Sequence, residues 1–237
     1  MYDICVIGAG PAGISSAVYA ASRGLKTIVL EQKKVGGLLG SVSTVTHYAG
    51  ILADETGESF SLRLKEQAER AGIEIAMEKV VEADLSGEVK RIVTEGTTYE
   101  AKAVIIAAGT MPRKLGIPGE DTFAGRGTGL NPAKDAKKYE GREAFVVGGA
   151  DGAVKEALFL SKFASKVTII HFEDTLGAIP EFTEKVKRTA NMEVRLHSRL
   201  SRIEGEGQAD RIVIEDEHTK EQEWIEAPGC AVYIYAG

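Results

Sequence analysis

Cysteine, proline and aromatic residues are scarce in this sequence of 237 residues, which has 2 Cys, 6 Pro and 6% aromatic residues. Two cysteines exclude a fold held together by several disulfides and a metal site built from several thiolates. Cys5 and Cys230 stand near opposite ends of the sequence, so no CxxC redox pair is present. Positive charge is also in deficit, since the net charge is −6. The sequence therefore gives no indication of a basic surface for nucleic acid or membrane lipid.

Long apolar segments are missing as well, because no run approaches the roughly 20 residues that a membrane-spanning helix needs. The N-terminus lacks a basic segment, and its first apolar run predicts a strand, which argues against a signal peptide. The overall composition, 43% hydrophobic and 27% charged, is that of a globular protein and excludes a disordered or collagen-like chain. We therefore expect a cytoplasmic protein of one or two domains, with neither nucleic acid nor membrane as a partner.

Glycine, in contrast, is abundant, with 27 residues, and its placement is informative. An apolar run at 4–7 precedes Gly8-Ala9-Gly10-Pro11-Ala12-Gly13, a small-residue helical pattern to about Arg23, and a second apolar run that ends at Glu31. In such a unit the first glycine allows a tight turn, the second lets the backbone approach a pyrophosphate, and the third lets helix and strand pack closely. The helix N-terminus attracts the phosphates, and the acid accepts hydrogen bonds from a ribose. We therefore predict a dinucleotide-binding βαβ unit, the alternative being a glycine-rich turn without a ligand.

The same pattern recurs later in the chain, with Gly148 in the place of Gly8 and His171 in the place of Glu31. A strand at 144–147, a helix through about 164 and a strand at 166–170 complete the unit. Ala150 adds a methyl group at the position of close approach, and Ala153 is an accepted substitute for the third glycine. Two interpretations stay open, a bound nicotinamide nucleotide and a retained fold whose site is weak or empty.

Apolar periodicity predicts the remaining elements. Helices are expected at 58–72 and 180–188, and strands at 73–77, 89–94, 103–107, 193–196, 211–215 and 230–235. The strand at 103–107 runs into Ala107-Ala108-Gly109-Thr110-Met111-Pro112-Arg113, whose glycine and proline residues predict a domain boundary.

Together these motifs resemble the low-molecular-weight thioredoxin reductases of the pyridine nucleotide-disulfide oxidoreductase superfamily. The most specific marks are the first glycine motif with Glu31, the second unit with Glu156-Ala157-Leu158, Gly36-Gly37, Ala107-Ala108-Gly109 and Gly125-Arg126-Gly127. The resemblance covers essentially the whole chain and implies an α/β fold with two Rossmann-like βαβ domains, the second inserted in the first. It implies an FAD-binding domain at 1–112, a nicotinamide-type domain at 113–235, and a return to the FAD domain that begins at 236–237.

The resemblance also implies which residues bind FAD, and these lie in the glycine loop and in the segments predicted beside it. They are Gly8, Gly10, Pro11, Ala12, Gly13, Glu31, Gly36, Gly37, Leu38, Leu39, His47, Val80, Ala108 and Gly109. His47 stands where the family usually has an Asn that faces the flavin, and both a cofactor contact and a structural role stay open for it. We expect no catalytic side chain and no metal ligand, because the flavin supplies the chemistry.

Two departures from the family concern electron transfer. At the two positions of the family's redox cysteines the chain has Asn131 and Lys134, and neither forms a disulfide or a thiolate adduct. Cys5 and Cys230 each lie in an apolar β-type run, so we expect them to pack in a core. Direct reduction of thioredoxin by the family's dithiol route is therefore not expected.

The other departure concerns the nicotinamide nucleotide. Relatives that use NADPH carry two adjacent Arg residues and a third further on to bind the 2′-phosphate, whereas this chain has Phe172, Glu173 and Gly177 at those positions. Arginine suits phosphate because its planar fork donates bidentate hydrogen bonds and stays charged. In this respect the chain resembles a subset of these flavoproteins from anaerobes that take electrons from ferredoxin. We therefore expect NADH or a reduced protein donor such as ferredoxin, rather than NADPH.

The sequence stops where the family's chain would return to its FAD domain. We expect it to be a piece of a longer protein, the alternative being FAD held by an incomplete site. The favoured function is an FAD-dependent oxidoreductase. The alternatives are a non-catalytic FAD- or nucleotide-binding regulatory paralogue and, less well supported, an NAD-dependent dehydrogenase.

The resemblance implies a homodimer and an electron-transfer partner, either ferredoxin or a thioredoxin-like protein. Lys134, Lys137 and Lys138 form a small basic cluster. Two interpretations of it stay open, a docking site for such an acidic partner and a solvated turn.

Overall fold

The computed structural model of the chain describes residues 1–235. The chain forms two compact units, Met1–Met111 and Pro112–Gly237. Each unit contains a parallel βαβ arrangement around one of the two glycine motifs, so the prediction of an α/β fold with two Rossmann-like units is confirmed. The expected return to the first domain at 236–237 lies outside the described residues.

The first unit is a mixed sheet with helices packed on it. Its elements are β1 (Tyr2–Ile7), α1 (Pro11–Ser22), β2 (Thr27–Leu30), a 3-10 helix (Gly37–Ser41), α2 (Gly57–Arg70), β3 (Glu74–Ala76), β4 (Val80–Asp84), β5 (Lys90–Thr94) and β6 (Thr98–Ile106). The strand order is β3-β2-β1-β6-β5-β4. The strands β3, β2, β1 and β6 are parallel, and the β4–β5 hairpin extends the sheet antiparallel. The carboxyl ends of β1, β2 and β6 therefore meet at one edge, where the first glycine loop lies.

Small and apolar side chains pack the two helices of this unit against its sheet. Ile14 and Ala17 of α1 are fully buried in the same cluster as Val6 of β1 and Phe60 of α2. The third motif glycine allows α1 to approach the strand closely, and the short side chains of the rest of α1 allow the same close packing. This packing holds the N-terminus of α1 at the carboxyl edge of the sheet.

The second unit combines a parallel sheet with a separate antiparallel one. Its elements are α3 (Pro132–Asp135), a 3-10 helix (Ala136–Tyr139), β7 (Glu143–Val147), α4 (Asp151–Leu160), β8 (Lys166–Ile170), α5 (Pro180–Arg188), β9 (Met192–Arg195), β10 (Ser198–Glu204), β11 (Arg211–Asp216), β12 (Gln222–Glu226) and β13 (Ala231–Ile234). The parallel sheet has the order β13-β7-β8-β9 and carries the second glycine motif, and β10-β11-β12 form the antiparallel sheet. One apolar cluster packs α4 and α5 on the parallel sheet, and a second packs the two sheets together.

Most predicted elements are present, with shifted ends. The helix expected at 58–72 is α2 at Gly57–Arg70, the helix expected through about 164 ends at Leu160, and the strand expected at 103–107 is the longer β6. The strands β4, β10 and β12 were not predicted. Within residues 1–235, no helix is long and apolar enough to cross a membrane.

Candidate dinucleotide site

Gly8 and Gly13 pack the first glycine loop against the end of β6. Gly8 has a φ of +104°, a conformation that favours glycine, and a Cβ there would lie 2.3 Å from the carbonyl oxygen of Ala107. A Cβ at Gly13 would lie 1.8 Å from the carbonyl oxygen of Gly8. Both positions therefore exclude a side chain for reasons internal to the fold, as the first and third motif glycines predict.

Gly10 differs, because its surroundings leave room. It is the N-cap of α1, with φ −72° and ψ −179°, and apart from its chain neighbours no atom of the described residues lies within 4 Å of a Cβ built on it. The space lies at the helix N-terminus, where Pro11 and Ala12 form the first turn and unpaired N–H groups favour an anion. The loop therefore fits the pyrophosphate of a dinucleotide, since a side chain at Gly10 would fill the space that the phosphates need.

Glu31 follows β2 and is held at the glycine loop by backbone donors. Its Oε2 accepts a hydrogen bond of 2.8 Å from the Ala9 N–H, and its Oε1 accepts one of 2.8 Å from the Lys33 N–H. Only 8% of the residue is exposed. Each carboxylate oxygen has a second lone pair, so the group keeps acceptor capacity for ribose hydroxyls beside the loop.

The segment from Gly36 to Leu39 lies beside the same loop. The Gly36 N–H donates a hydrogen bond of 2.8 Å to the Ala9 carbonyl, and a Cβ at Gly37 would lie 3.7 Å from the Cα of Gly10. Leu38 is 49% exposed, whereas Leu39 packs on the core of the unit. Gly37 thus lies next to Gly10, at the edge of the glycine loop.

The other predicted contacts lie in three places. Ala108 and Gly109 follow β6, and a Cβ at Gly8 would lie 3.2 Å from the Cα of Ala108, so this turn borders the glycine loop. His47 is exposed in the loop before α2 and has a φ of 57°. Val80 begins the edge strand β4, which β5 and β6 separate from β1. The structure brings Ala108 to the glycine loop, and contact of His47 and Val80 with a cofactor stays a prediction.

The second glycine loop has a similar backbone and less room. Ala150 is the N-cap of α4, with φ −81° and ψ 171°, so its methyl group occupies the position that Gly10 leaves open in the first unit. His171 is buried against this loop, because a Cβ at Gly149 would lie 2.6 Å from its ring. The unit therefore keeps the nucleotide-binding fold, but the space for a pyrophosphate is reduced.

An arginine from another strand lies beside the residues that follow β8. The guanidinium carbon of Arg199, in β10, is 4.4 Å from the centroid of the Phe172 ring, and Arg199 forms an ion pair with Glu217. The Oε2 of the next residue, Glu173, is 3.1 Å from the Nε2 of His171. The sequence motif missed Arg199 because that residue comes from a different strand, and the charge of Arg199 is already paired with Glu217.

Both cysteines are buried thiols. Cys5 lies in β1 and Cys230 directly before β13, and each is part of an apolar cluster, so the expected packing role is confirmed. Burial raises the pKa of Cys5 to about 11 and the pKa of Cys230 to about 12. Because the thiolate is the reactive form of cysteine, burial disfavours the reactive form of both residues at neutral pH.

The two positions that replace the family's cysteines lie at α3. The Asn131 N–H donates a hydrogen bond of 2.7 Å to Oδ2 of Asp135, and Lys134 is exposed in the helix. Lys137 is also exposed, and the Nζ of Lys138 donates to the Gly125 carbonyl at 3.1 Å. Asn131 thus precedes α3 and Lys134 lies within it, and the lysines of α3 and of the following 3-10 helix are exposed.

The chain is similar to known proteins over nearly its whole length. Residues 2–235 match the family described as pyridine nucleotide-disulphide oxidoreductase. A thioredoxin reductase from Peptoclostridium acidaminophilum is 41% identical over 216 residues, which are 91% of this chain and 69% of that protein. The crystal structure of Lactococcus lactis thioredoxin reductase in its FR conformation gives a TM-score of 0.93 at 31% identity, covering 99% of this chain and 77% of that one. The thioredoxin reductase of T. acidophilum gives 0.88 at 28% identity, covering 98% and 76%.

These similarities agree with the two βαβ units and with the open glycine position at the N-terminus of α1. The resemblance inferred from the motifs is therefore confirmed. The chain belongs to the pyridine nucleotide-disulphide oxidoreductase family and is a thioredoxin-reductase-like, FAD-dependent oxidoreductase.

Proposed function

We propose that the first unit binds FAD, with the pyrophosphate at Gly10 and the adenosine ribose on Glu31. The observation that carries this proposal is the open space at Gly10. Apart from the chain neighbours of Gly10, no atom of the described residues fills it. The first-turn N–H groups of α1 neutralise the phosphates, and Glu31 is already oriented by Ala9 and Lys33. Gly37 lies beside Gly10, and the neighbouring Leu38 is exposed, so both are available to the flavin half of the cofactor.

We further propose that the flavin is the redox-active group of this chain. Bound FAD accepts and passes on electrons, and the protein contributes binding, orientation and electrostatics. The raised pKa values of Cys5 and Cys230 keep both thiols protonated at neutral pH. The positions of the family's redox cysteines hold Asn131 and Lys134, so electrons would leave the flavin without a dithiol of this chain as relay.

For the electron donor we propose NADH or a reduced protein such as ferredoxin, in preference to NADPH. A 2′-phosphate near Phe172 would meet the carboxylate of Glu173, and the nearby Arg199 is engaged by Glu217. A hydrogen bond to a charged group contributes about 1.5–3 kcal/mol, so loss of the family's arginines removes orders of magnitude in affinity. Ala150 adds a penalty that NADH and NADPH share.

The proposed partners are an electron-transfer protein, either ferredoxin or a thioredoxin-like protein, and a second copy of the chain. The exposed lysines Lys134 and Lys137 provide positive charge for an acidic partner. The relatives that the chain matches are named thioredoxin reductases, which supports a thioredoxin-like acceptor.

The test is anaerobic reduction of the flavin-loaded full chain by NADPH, NADH and reduced ferredoxin in parallel, followed as loss of flavin absorbance. Dithionite serves as the control that the bound flavin can be reduced. We expect NADPH to be the slower of the two nucleotides and either NADH or ferredoxin to reduce the flavin. Reduction by micromolar NADPH faster than by NADH would contradict the proposal, as would a flavin that only dithionite reduces.

A further inference from the structure

Three titratable side chains meet at the surface of the second unit, outside both glycine loops. Asp174 lies in the loop after β8, His197 lies between β9 and β10, and His218 lies in the turn between β11 and β12. The Nδ1 of His197 is 3.3 Å from Oδ1 of Asp174 and 3.1 Å from Nε2 of His218. All three potential ligand atoms lie within 4.8 Å of one another. The cluster contains two of the chain's four histidines.

The backbone holds these three residues in place. The His197 N–H donates to the carbonyl of Glu173, which precedes Asp174, at 3.5 Å. The His197 carbonyl accepts a hydrogen bond of 2.6 Å from the N–H of Glu217, which precedes His218. His197 is therefore tied to both neighbouring segments at the residues next to the other two side chains. Its own φ of 51° is uncommon for a residue other than glycine.

Hydrogen bonding alone satisfies this cluster poorly. The Nδ1 atom of a neutral histidine is either a donor or an acceptor and carries at most one hydrogen. If Nδ1 of His197 is protonated, Asp174 and His218 compete for that single hydrogen. If it is not, its lone pair faces the carboxylate of Asp174. A cation at the centre of the three atoms satisfies all of them together.

The distances and the ligand types fit a tetrahedral metal ion. Zinc binds imidazole nitrogen at about 2.0–2.1 Å, so two ligands of a tetrahedral site lie about 3.3 Å apart. The two short separations around His197 match that value. Imidazole nitrogen suits zinc, copper and nickel, and two histidines with one carboxylate leave the fourth position of a tetrahedral ion open to water. Asp216, whose Oδ1 accepts a hydrogen bond from the His218 N–H, adds negative charge nearby, whereas the carboxylate of Glu217 is paired with Arg199.

We propose that Asp174, His197 and His218 bind one divalent transition-metal ion of the zinc type, with water completing its coordination. The ion would connect the loop after β8 to the antiparallel sheet. That loop also carries Phe172 and Glu173, which stand at positions where relatives bind a nucleotide phosphate. The proposed ligand Asp174 directly follows Glu173 in the sequence. The inference is independent of FAD binding and of the electron donor.

The experiment is a zinc titration of the chelator-treated, tag-free full chain in competition with a chromophoric chelator. We expect one ion per chain, bound at least about 10- to 100-fold more weakly by His218→Ala and Asp174→Asn, since loss of an outer-shell partner alone costs that much. At His197 the variant is His197→Asn, because Asn tolerates the positive φ of this residue. It should weaken zinc binding in the same way. His47→Ala removes an exposed histidine outside the cluster and is the control.

Thermal unfolding gives a second readout, because a ligand that binds only the folded state raises the melting temperature. Zinc should raise the melting temperature of the wild type and of His47→Ala, and raise that of His218→Ala and Asp174→Asn by less at the same zinc concentration. The absorption of a cobalt(II) complex would report tetrahedral geometry. The proposal is overturned if His218→Ala and Asp174→Asn bind zinc as tightly as the wild type, or if His47→Ala weakens binding equally.

Discussion

Replacing Gly10 should abolish FAD binding while leaving the fold intact, whereas replacing Gly13 should damage the fold itself. The two residues lie in one motif, but their surroundings differ. A Cβ at Gly13 would lie 1.8 Å from the Gly8 carbonyl, whereas a Cβ at Gly10 meets no atom within 4 Å among the described residues other than its chain neighbours. Gly10→Val therefore introduces a side chain only into the space proposed for the pyrophosphate.

The magnitudes follow from these geometries. At an N-cap, Val in place of Gly costs up to about 1 kcal/mol of stability, because Gly is tolerated better than Val at that position although neither has a capping side chain. At Gly13 the added methyl group must displace backbone, and such overpacking costs about 1–3 kcal/mol. Gly152→Ala is the control, because this exposed glycine of α4 has open space around it and gains up to about 1 kcal/mol of helix propensity.

The assay combines flavin absorbance per mole of purified chain with urea unfolding of the flavin-free protein. We expect Gly10→Val to lose the flavin at nearly wild-type stability, Gly13→Ala to lose stability, and Gly152→Ala to keep both. Stoichiometric flavin in Gly10→Val would refute the placement of the pyrophosphate. If Gly10→Val lowers the free energy of unfolding as much as Gly13→Ala does, the conclusion that a side chain at position 10 meets no packed neighbour is refuted.

Three further predictions concern the thiols, the acid and the nucleotide locus. Because the folded pKa values of Cys5 and Cys230 are raised to about 11 and 12 from about 9, the unfolded chain loses these protons first, and the free energy of unfolding should fall as pH rises above about 9. Urea titrations should show a shallower fall for Cys5→Ala, and equal slopes would contradict this reasoning. Glu31→Gln exchanges a charged acceptor for a neutral one, so the Kd for FAD should rise about tenfold by fluorescence titration, and an unchanged Kd would place the ribose elsewhere. The double variant Phe172→Arg/Glu173→Arg should raise the ratio of NADPH to NADH reduction rates by at least about tenfold in stopped-flow measurements, and an unchanged ratio would show that the phosphate lies elsewhere.

The parts of the fold that the sequence predicts are those governed by local rules. The glycine loop, α1 and Glu31 follow from one motif whose members lie within a single βαβ unit, and the structure places Gly8, Gly13 and Glu31 in contact with that loop. The helix expected at 180–188 is present as α5. Its signals, a proline at the first position and the spacing of its apolar residues, lie within the helix itself. Such features need no information from distant parts of the chain.

The missed strands lack the alternation of buried and exposed residues on which strand prediction relies. In β10 the register shifts between Leu200 and Arg202, so the buried Leu200 and Ile203 are three residues apart, a helical spacing. In β12 Ile225 is half-buried and the other residues are exposed, Trp224 among them. Both strands pair antiparallel with β11, whose central residues are buried, so a distant segment rather than the local pattern determines them.

Features assembled from distant segments could not be predicted from spacing either. Arg199 reaches Phe172 from a different strand, and Asp174, His197 and His218 come from three separate connections. Likewise, nothing in the motif distinguishes the packed Gly13 from the open Gly10. Only the neighbours of each residue in space make that distinction.

The most direct test of the account is an anaerobic electron titration of the flavin-loaded full chain. The central claim is that flavin, rather than a dithiol, is the redox-active group of this chain, since Cys5 and Cys230 are buried and their pKa values are raised. Dithionite should therefore deliver about two electrons per bound flavin before excess reductant appears. Uptake of about four electrons per flavin, with two new thiols detected after unfolding, would show a redox-active disulfide and contradict the account.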